Sequence, residues 1–178
     1  MKWRIRKKPK NHIMLATFKH EKKMIISHEI KHFNKLSTSE FHDLIKLRIE
    51  TFILEQECVY PEVDGLDTVS FHLLLFKKDV LIGTSRIIPK GELYSEFSIG
   101  RIVIIAKERR QGYGSYLVEK SIEFIKSLDS KAVIRIDALK YIEKLYLSFG
   151  FTSENYFSSF NYEYVEMKLD LKNLKTIR

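Results

Sequence analysis

One cysteine, three prolines and seven glycines are all that 178 residues contain. A single thiol, Cys58, can form no internal disulfide and no multi-cysteine metal site, and it reads as inert rather than as a nucleophile. So little proline and glycine argues against long unstructured tracts. No apolar run is long enough to span a bilayer. The basic opening "MKWRIRKKPK" is not followed by the apolar stretch and small-residue cleavage site of a secretory signal. The expectation is a cytoplasmic protein with no membrane partner, of a length that suits one domain with a full core.

Acidic residues are scarce at one end only. Residues 1–23 hold nine lysines and arginines against Glu21 alone, whereas the remaining 22 basic and 22 acidic residues balance. The net charge of +8 therefore belongs to the N-terminal stretch. Residues 1–23 read as a flexible solvated extension, or as sequence ahead of a start at Met24. A nucleic-acid-binding or anionic-membrane arm is the sharper alternative.

Hydropathy patterning then lays out the chain. "MIISHEI" (24–30) reads as a strand. "STSEFHDLIKLRIETFIL" (37–54) begins with serine and threonine caps, and Phe41, Ile45, Ile49 and Phe52 recur at helical spacing. Arg48 falls on that stripe, where a charge either snorkels outward or meets an acid. "EQECVYPEVDGLDTV" reads as an acidic loop. "FHLLLFKKDVLIGTSRIIP" is two strands with a tight turn at Lys77–Asp79, and "FSIGRIVII" is a strand apolar on both faces. "SYLVEKSIEFIKSL" is a helix with Leu117, Val118, Ser121, Ile122 and Ile125 on its inner side. "AVIRIDA" is a strand, and "YIEKLYLSF" is a short helix that Gly150 stops in a left-handed turn. "YEYVEMKLDL" closes as an alternating strand. The order β-α-β-β-β-α-β-α-β makes a single α/β domain.

The densest signal is "KERRQGYGSYL" (107–117), glycines between a strand and a helix. Glycines let amides turn inward, and the helix start adds free N–H groups and a positive dipole end, so an anion is the natural guest. A nucleotide-triphosphate loop needs a Lys-Ser/Thr pair that is missing. A dinucleotide fingerprint needs a third glycine where Leu117 stands, and it follows the first strand rather than a later one.

What remains is Arg109-x-x-Gly112-x-Gly114, which resembles the coenzyme A pyrophosphate loop of the GNAT acyltransferases. "IGRIVIIAKERRQGYGSYLVEKSIEFI" is similar to that superfamily's central strand, loop and helix, and "EKLYLSFGF" to its second signature. "LRIETFILEQECVYPEVDGLD", "FHLLLF" and "GTSRIIP" are similar to the ElaA-like branch, through Arg48, Phe52, Glu55, Gln56, Asp64 and Asp67. Arg48, Phe52, Asp64, Asp67 and Arg86 are also shared with acyl-homoserine-lactone synthases, which keep the fold but normally lack the glycine loop.

The resemblance implies one GNAT domain over residues 24–178, with a mixed, mostly antiparallel sheet flanked by helices. It implies acetyl-CoA or another acyl-CoA as donor, no metal, and a small-molecule or protein amine as acceptor. The amine would attack directly, through a tetrahedral intermediate. Amides of Gln111, Gly112, Tyr113, Gly114 and Ser115 would hold the pyrophosphate, with Arg109 and Arg110 adding charge. The edge of Ile102, Val103 and Ile104 would pair with the pantetheine arm. Tyr146 stands at the superfamily's acid position, and Glu55 is a candidate base, directly or through a water. Arg48, Asp64, Asp67 and His72 would lie on the acceptor side. There the loop acids either present a field to a cationic amine or pair with Arg48 and Arg86. Leu139 occupies a position where many relatives carry asparagine. An acyl-homoserine-lactone-synthase-like enzyme, or a non-catalytic module using the basic arm, is the alternative function, and a homodimer is an open possibility.

Overall fold

A computed structural model describes residues 26–58 and 60–173. The basic extension at 1–23 lies outside the described residues. Seven strands form one sheet: β1 (Ile26–His32), β2 (Phe71–Lys77), β3 (Val80–Ile88), β4 (Phe97–Ile104), β5 (Val133–Leu139), β6 (Thr152–Ser159) and β7 (Tyr162–Asp170). Their spatial order is β1-β2-β3-β4-β5-β7-β6. Every pairing is antiparallel except β4 with β5, so the sheet is mixed and mostly antiparallel.

The helices are α1 (Thr38–Arg48), α2 (Tyr113–Leu128) and α3 (Glu143–Leu147). Ser37 and Glu40 close a reciprocal capping box at the start of α1, each side chain taking the other's backbone N–H. After Arg48 the helix widens into a π-helical segment, Ile49–Glu55. The buried face of α1 and this segment is Leu44, Leu47, Arg48 and Thr51, not the expected Phe41, Ile45, Ile49 and Phe52. Arg48 turns fully inward because its acidic partners, Glu62 and Asp67, stand inside.

In α2 the buried residues are Leu117, Val118, Ser121, Ile122 and Ile125, as its periodicity requires. They pack on Ile87, Ile99, Ile134 and Ile136 from the sheet. Ser85 of β3 hydrogen-bonds Ser121 of α2, whereas its neighbour Arg86 meets the loop beyond α1. Successive strand residues face opposite ways, so α2 and the α1 loop cover opposite faces of the sheet.

Strand β6 was not legible in the sequence. It is an edge strand with almost every side chain exposed, so no buried alternation marks it. Its hairpin to β7 turns at Phe160 and Asn161, both left-handed.

β4 carries a bulge, because Thr84 pairs with Val103 and Arg86 with Gly100. Arg101 and Ile102 therefore oppose Ser85 alone, and Arg101 adopts a left-handed conformation at φ 51°. Beside the bulge, Gly83 lets β3 approach closely. A Cβ there would overlap the Ile104 side chain and stand 2.8 Å from the Val103 carbonyl oxygen. Gly83→Ala should cost about 1–3 kcal/mol through this overpacking. Thermal unfolding checks it, since an unchanged midpoint would mean that β4 yields freely.

Candidate active site

Between β4 and β5 the sheet opens. The strands pair only at Phe97–Ile134 and Ser98–Arg135, although both continue for several residues. Above that point Val103 and Ile104 pair with β3 on one side, and the edge from Ile102 to Ile104 pairs with no described strand on the other. The bulge at Arg101 turns β4 away from β5 and creates this opening. An extended chain bearing amides is the shape that such an edge accepts.

At the top of β4 a 3₁₀ turn, Ala106–Glu108, leads into the glycine loop. Lys77 sits 2.6 Å from the Glu108 carboxylate, which also accepts from Gln111, and these contacts brace the loop's base. Arg110 and Gly112 are both left-handed, at φ 59° and 84°. The first helical bond of α2 runs from Tyr116 N–H to the Gly112 carbonyl, and no side chain caps the helix. The amides of Tyr113, Gly114 and Ser115 thus precede the ladder, with open space where Gly112 and Gly114 lack a Cβ. That is an uncapped helix start facing a clear approach, and it fits a phosphate group. Arg110 is exposed and, among the described residues, has no acidic partner.

Arg109 and Glu55 do not stand where their expected roles would leave them free. The Arg109 guanidinium is held by both oxygens of Glu55, and its Nε donates to the Ile104 carbonyl at 2.9 Å. The hydrogen bond and charge of Arg109 keep the Glu55 carboxyl below its ordinary range, which weakens it as a base. The pair ties the end of the π-helical segment to the glycine loop.

Tyr146 of α3 is 6 % exposed and packs edge-to-face on Phe151, with ring centroids 5.6 Å apart. Its hydroxyl has no hydrogen-bond partner among the described residues. Burial, with a smaller contribution from nearby Tyr141, pushes the phenol above its ordinary range, so it keeps its proton at neutral pH.

The acids of the loop at 62–67 are consumed by arginines. Arg48 donates to Glu62 through Nε, to the Glu62 carbonyl at 3.0 Å and to Asp67 at 2.7 Å. Arg86 takes both oxygens of Asp64 at 2.7 Å and reaches Asp67 at 3.1 Å. Arg101 donates to Glu62 and Asp64, each at 3.1 Å. Three acids and three arginines cancel, so these acids present no field to a cationic acceptor. Arg48, Asp67 and His72, expected on the acceptor side, are enclosed, because a charge in the interior is tolerated only beside its counter-charge. Their contacts hold the loop against the sheet, and only Asp64 reaches solvent from this set. His72 lies with Nε2 3.1 Å from the Asp67 carbonyl, and burial lowers its pKa and keeps the ring neutral.

Burial raises the pKa of Asp64 and Asp67, but the hydrogen bonds and charges of Arg86 and Arg48 outweigh it, and both titrate below the usual range. Sequence reasoning passed over Arg101. The available signal was a lone arginine inside an otherwise apolar strand. Leu139 ends β5 opposite Tyr164.

A family model described as "Acetyltransferase (GNAT) domain" matches residues 36–171. A UPF0039 protein of Schizosaccharomyces pombe is 36% identical over 145 residues, 79% of this chain and 95% of that protein. The crystal structure of Escherichia coli ElaA superposes with a TM-score of 0.76 at 26% identity, covering 81% of this chain and 99% of that one. An acyl-CoA N-acyltransferase from Pseudomonas aeruginosa gives 0.77 at 27% identity, covering 80% and 98%. A CoA-dependent acyl-homoserine lactone synthase, 14% identical with a TM-score of 0.61 over 81% and 82%, shares the fold alone.

Proposed function

This chain belongs to the GNAT acetyltransferase family, in its ElaA-like branch, and from that premise we propose that it transfers an acetyl group from acetyl-CoA to a primary amine. The observation that carries the reading is the opening between β4 and β5, with a bare strand edge along it and an uncapped helix start at its mouth. Acyl-CoA is the second substrate here, and it supplies an activated thioester.

The chain's own residues do the rest. Amides from Gln111 to Ser115, with the free charge of Arg110, hold the pyrophosphate. The edge of Ile102–Ile104 pairs with the pantetheine amides, and an amide there stabilises the thioester oxygen as negative charge develops on it. Tyr146 keeps its proton at neutral pH and gives it to the departing thiolate. The neutral amine adds to the thioester carbonyl to give a tetrahedral oxyanion, whose collapse breaks the C–S bond; the excess amine proton passes to solvent, and solvent returns a proton to the Tyr146 oxygen. Arg109 and Glu55 act as a strut that fixes the donor loop against the segment after α1.

Calorimetry with CoA and a thiol-release assay over a panel of primary amines test this reading. CoA binding with amine-dependent release is expected; the absence of either would overturn it. Gly112→Ala should weaken CoA binding about tenfold, because a left-handed alanine costs about 1–2 kcal/mol. Unchanged affinity would remove this loop from the donor site.

A further inference from the structure

Resting on the acyltransferase reading, we propose that Asp137 receives the ammonium group of the acceptor, which loses a proton to solvent before its nitrogen attacks, and that the acceptor is a primary amine with an apolar body and no carboxylate.

Asp137 lies on β5 two residues beyond Arg135, where pairing with β4 stops, so it borders the opening at its base. Its neighbours Ile136 and Ala138 point into the core beneath α2 and α3. Asp137 therefore projects to the opposite face, the one that the loop after α1 borders. There it is exposed, and its one hydrogen bond among the described residues comes from the Tyr94 hydroxyl at 2.7 Å. Tyr94 is itself held, with the Arg135 guanidinium 4.0 Å from its ring centre. Arg135 is committed to Glu166, on the strand beyond. The carboxylate is thus oriented by a neutral phenol while no cation among the described residues pairs with it. Glu62, Asp64 and Asp67 are already neutralised by arginines, so the acceptor's cation finds its counter-charge on β5.

Aromatic residues line the same face beyond this carboxylate and fit an apolar body. Asp137 pairs with Glu166 on β7, and Tyr164 lies one pleat further along the same face. Tyr164 stacks on Phe157 with centroids 5.4 Å apart, and Tyr60 leans on Phe160 at 5.7 Å. Phe157 and Phe160 remain 40% and 54% exposed. Glu166 is paired with Arg135, which leaves Asp137 with Tyr164 diagonal to it and further aromatic rings toward the β6–β7 hairpin, and this suits an alkylammonium with an apolar tail. An acceptor carboxylate would meet Asp137 as a like charge.

The test compares Asp137→Asn with wild type, using acetyl-CoA and either 2-phenylethylamine or phenylalanine. Asparagine can still accept from Tyr94, so thermal stability and CoA affinity report whether the site is otherwise intact. Glu57→Gln is the control, since Glu57 is an exposed acid of the loop after α1. In Asp137→Asn the KM for 2-phenylethylamine should rise about tenfold with the KM for acetyl-CoA unchanged, and the preference over phenylalanine should narrow. Glu57→Gln should do neither. Normal turnover by Asp137→Asn with wild-type KM values, or an effect matched by Glu57→Gln, would overturn this inference and leave acyl transfer standing. CoA binding without turnover of any amine, or no CoA binding at all, would overturn both.

Discussion

Asp67→Ala lowers the unfolding free energy by about 3–5 kcal/mol, the expected consequence of breaking a buried ion pair from one side. Asp67 is 2 % exposed and meets two guanidiniums, from Arg48 and Arg86. Removing it leaves two interior cations sharing the two remaining acids with Arg101. For a domain of this size the melting midpoint should fall by roughly 10 °C. Asp67→Asn should cost nearly as much, because it preserves shape and deletes the same charge.

The acid limb of stability follows from the same residues. Asp64 and Asp67 titrate lower in the folded chain than in the unfolded one. Their contribution is complete above the unfolded value, about 3.9, and is lost as pH falls through the depressed folded values. Stability should thus decline below about pH 4, and less steeply in Asp67→Asn. Chemical denaturation from pH 7 to pH 2.5 measures both effects. A midpoint for Asp67→Ala within a degree or two of wild type would show that solvent, not arginine, satisfies this carboxylate.

The second large effect is kinetic. Tyr146→Phe should lower kcat about 10- to 100-fold, at the modest end of acid catalysis because a thiolate is already a fair leaving group. The ring keeps its edge contact with Phe151, so the melting midpoint should hardly move. The KM for acetyl-CoA should change less than about twofold, since the hydroxyl acts on the departing sulfur and not on the donor's handle. Steady-state kinetics with a fixed amine separates these quantities. A kcat equal to wild type would assign protonation of the thiolate to water.

How much of this was legible beforehand depends on how local each feature is. The inner face of α2 was readable residue by residue, from Leu117 to Ile125, because helical periodicity and burial coincide there. The glycine loop was readable for a related reason, since its left-handed Gly112 and the helix start after it are set by neighbours in sequence. In α1 the stripe held at Arg48 and failed for its apolar members, because the inward face there is set by an arginine whose partners lie 14 and 19 residues away. β6 escaped because an exposed edge strand buries nothing that would write a pattern.

Most of the element order, the glycine loop and the short helix that carries Tyr146 could thus be read from the chain alone, since all are features set over a few adjacent residues. Only the tertiary structure decided where the charges go. It drew Glu62, Asp64 and Asp67 onto Arg48, Arg86 and Arg101, and Glu55 onto Arg109. It also left Asp137 without a described counter-ion at the base of the opening. The physical reason is that Coulombic attraction acts through space, and the chain separation between two charges carries no record of their distance once folded.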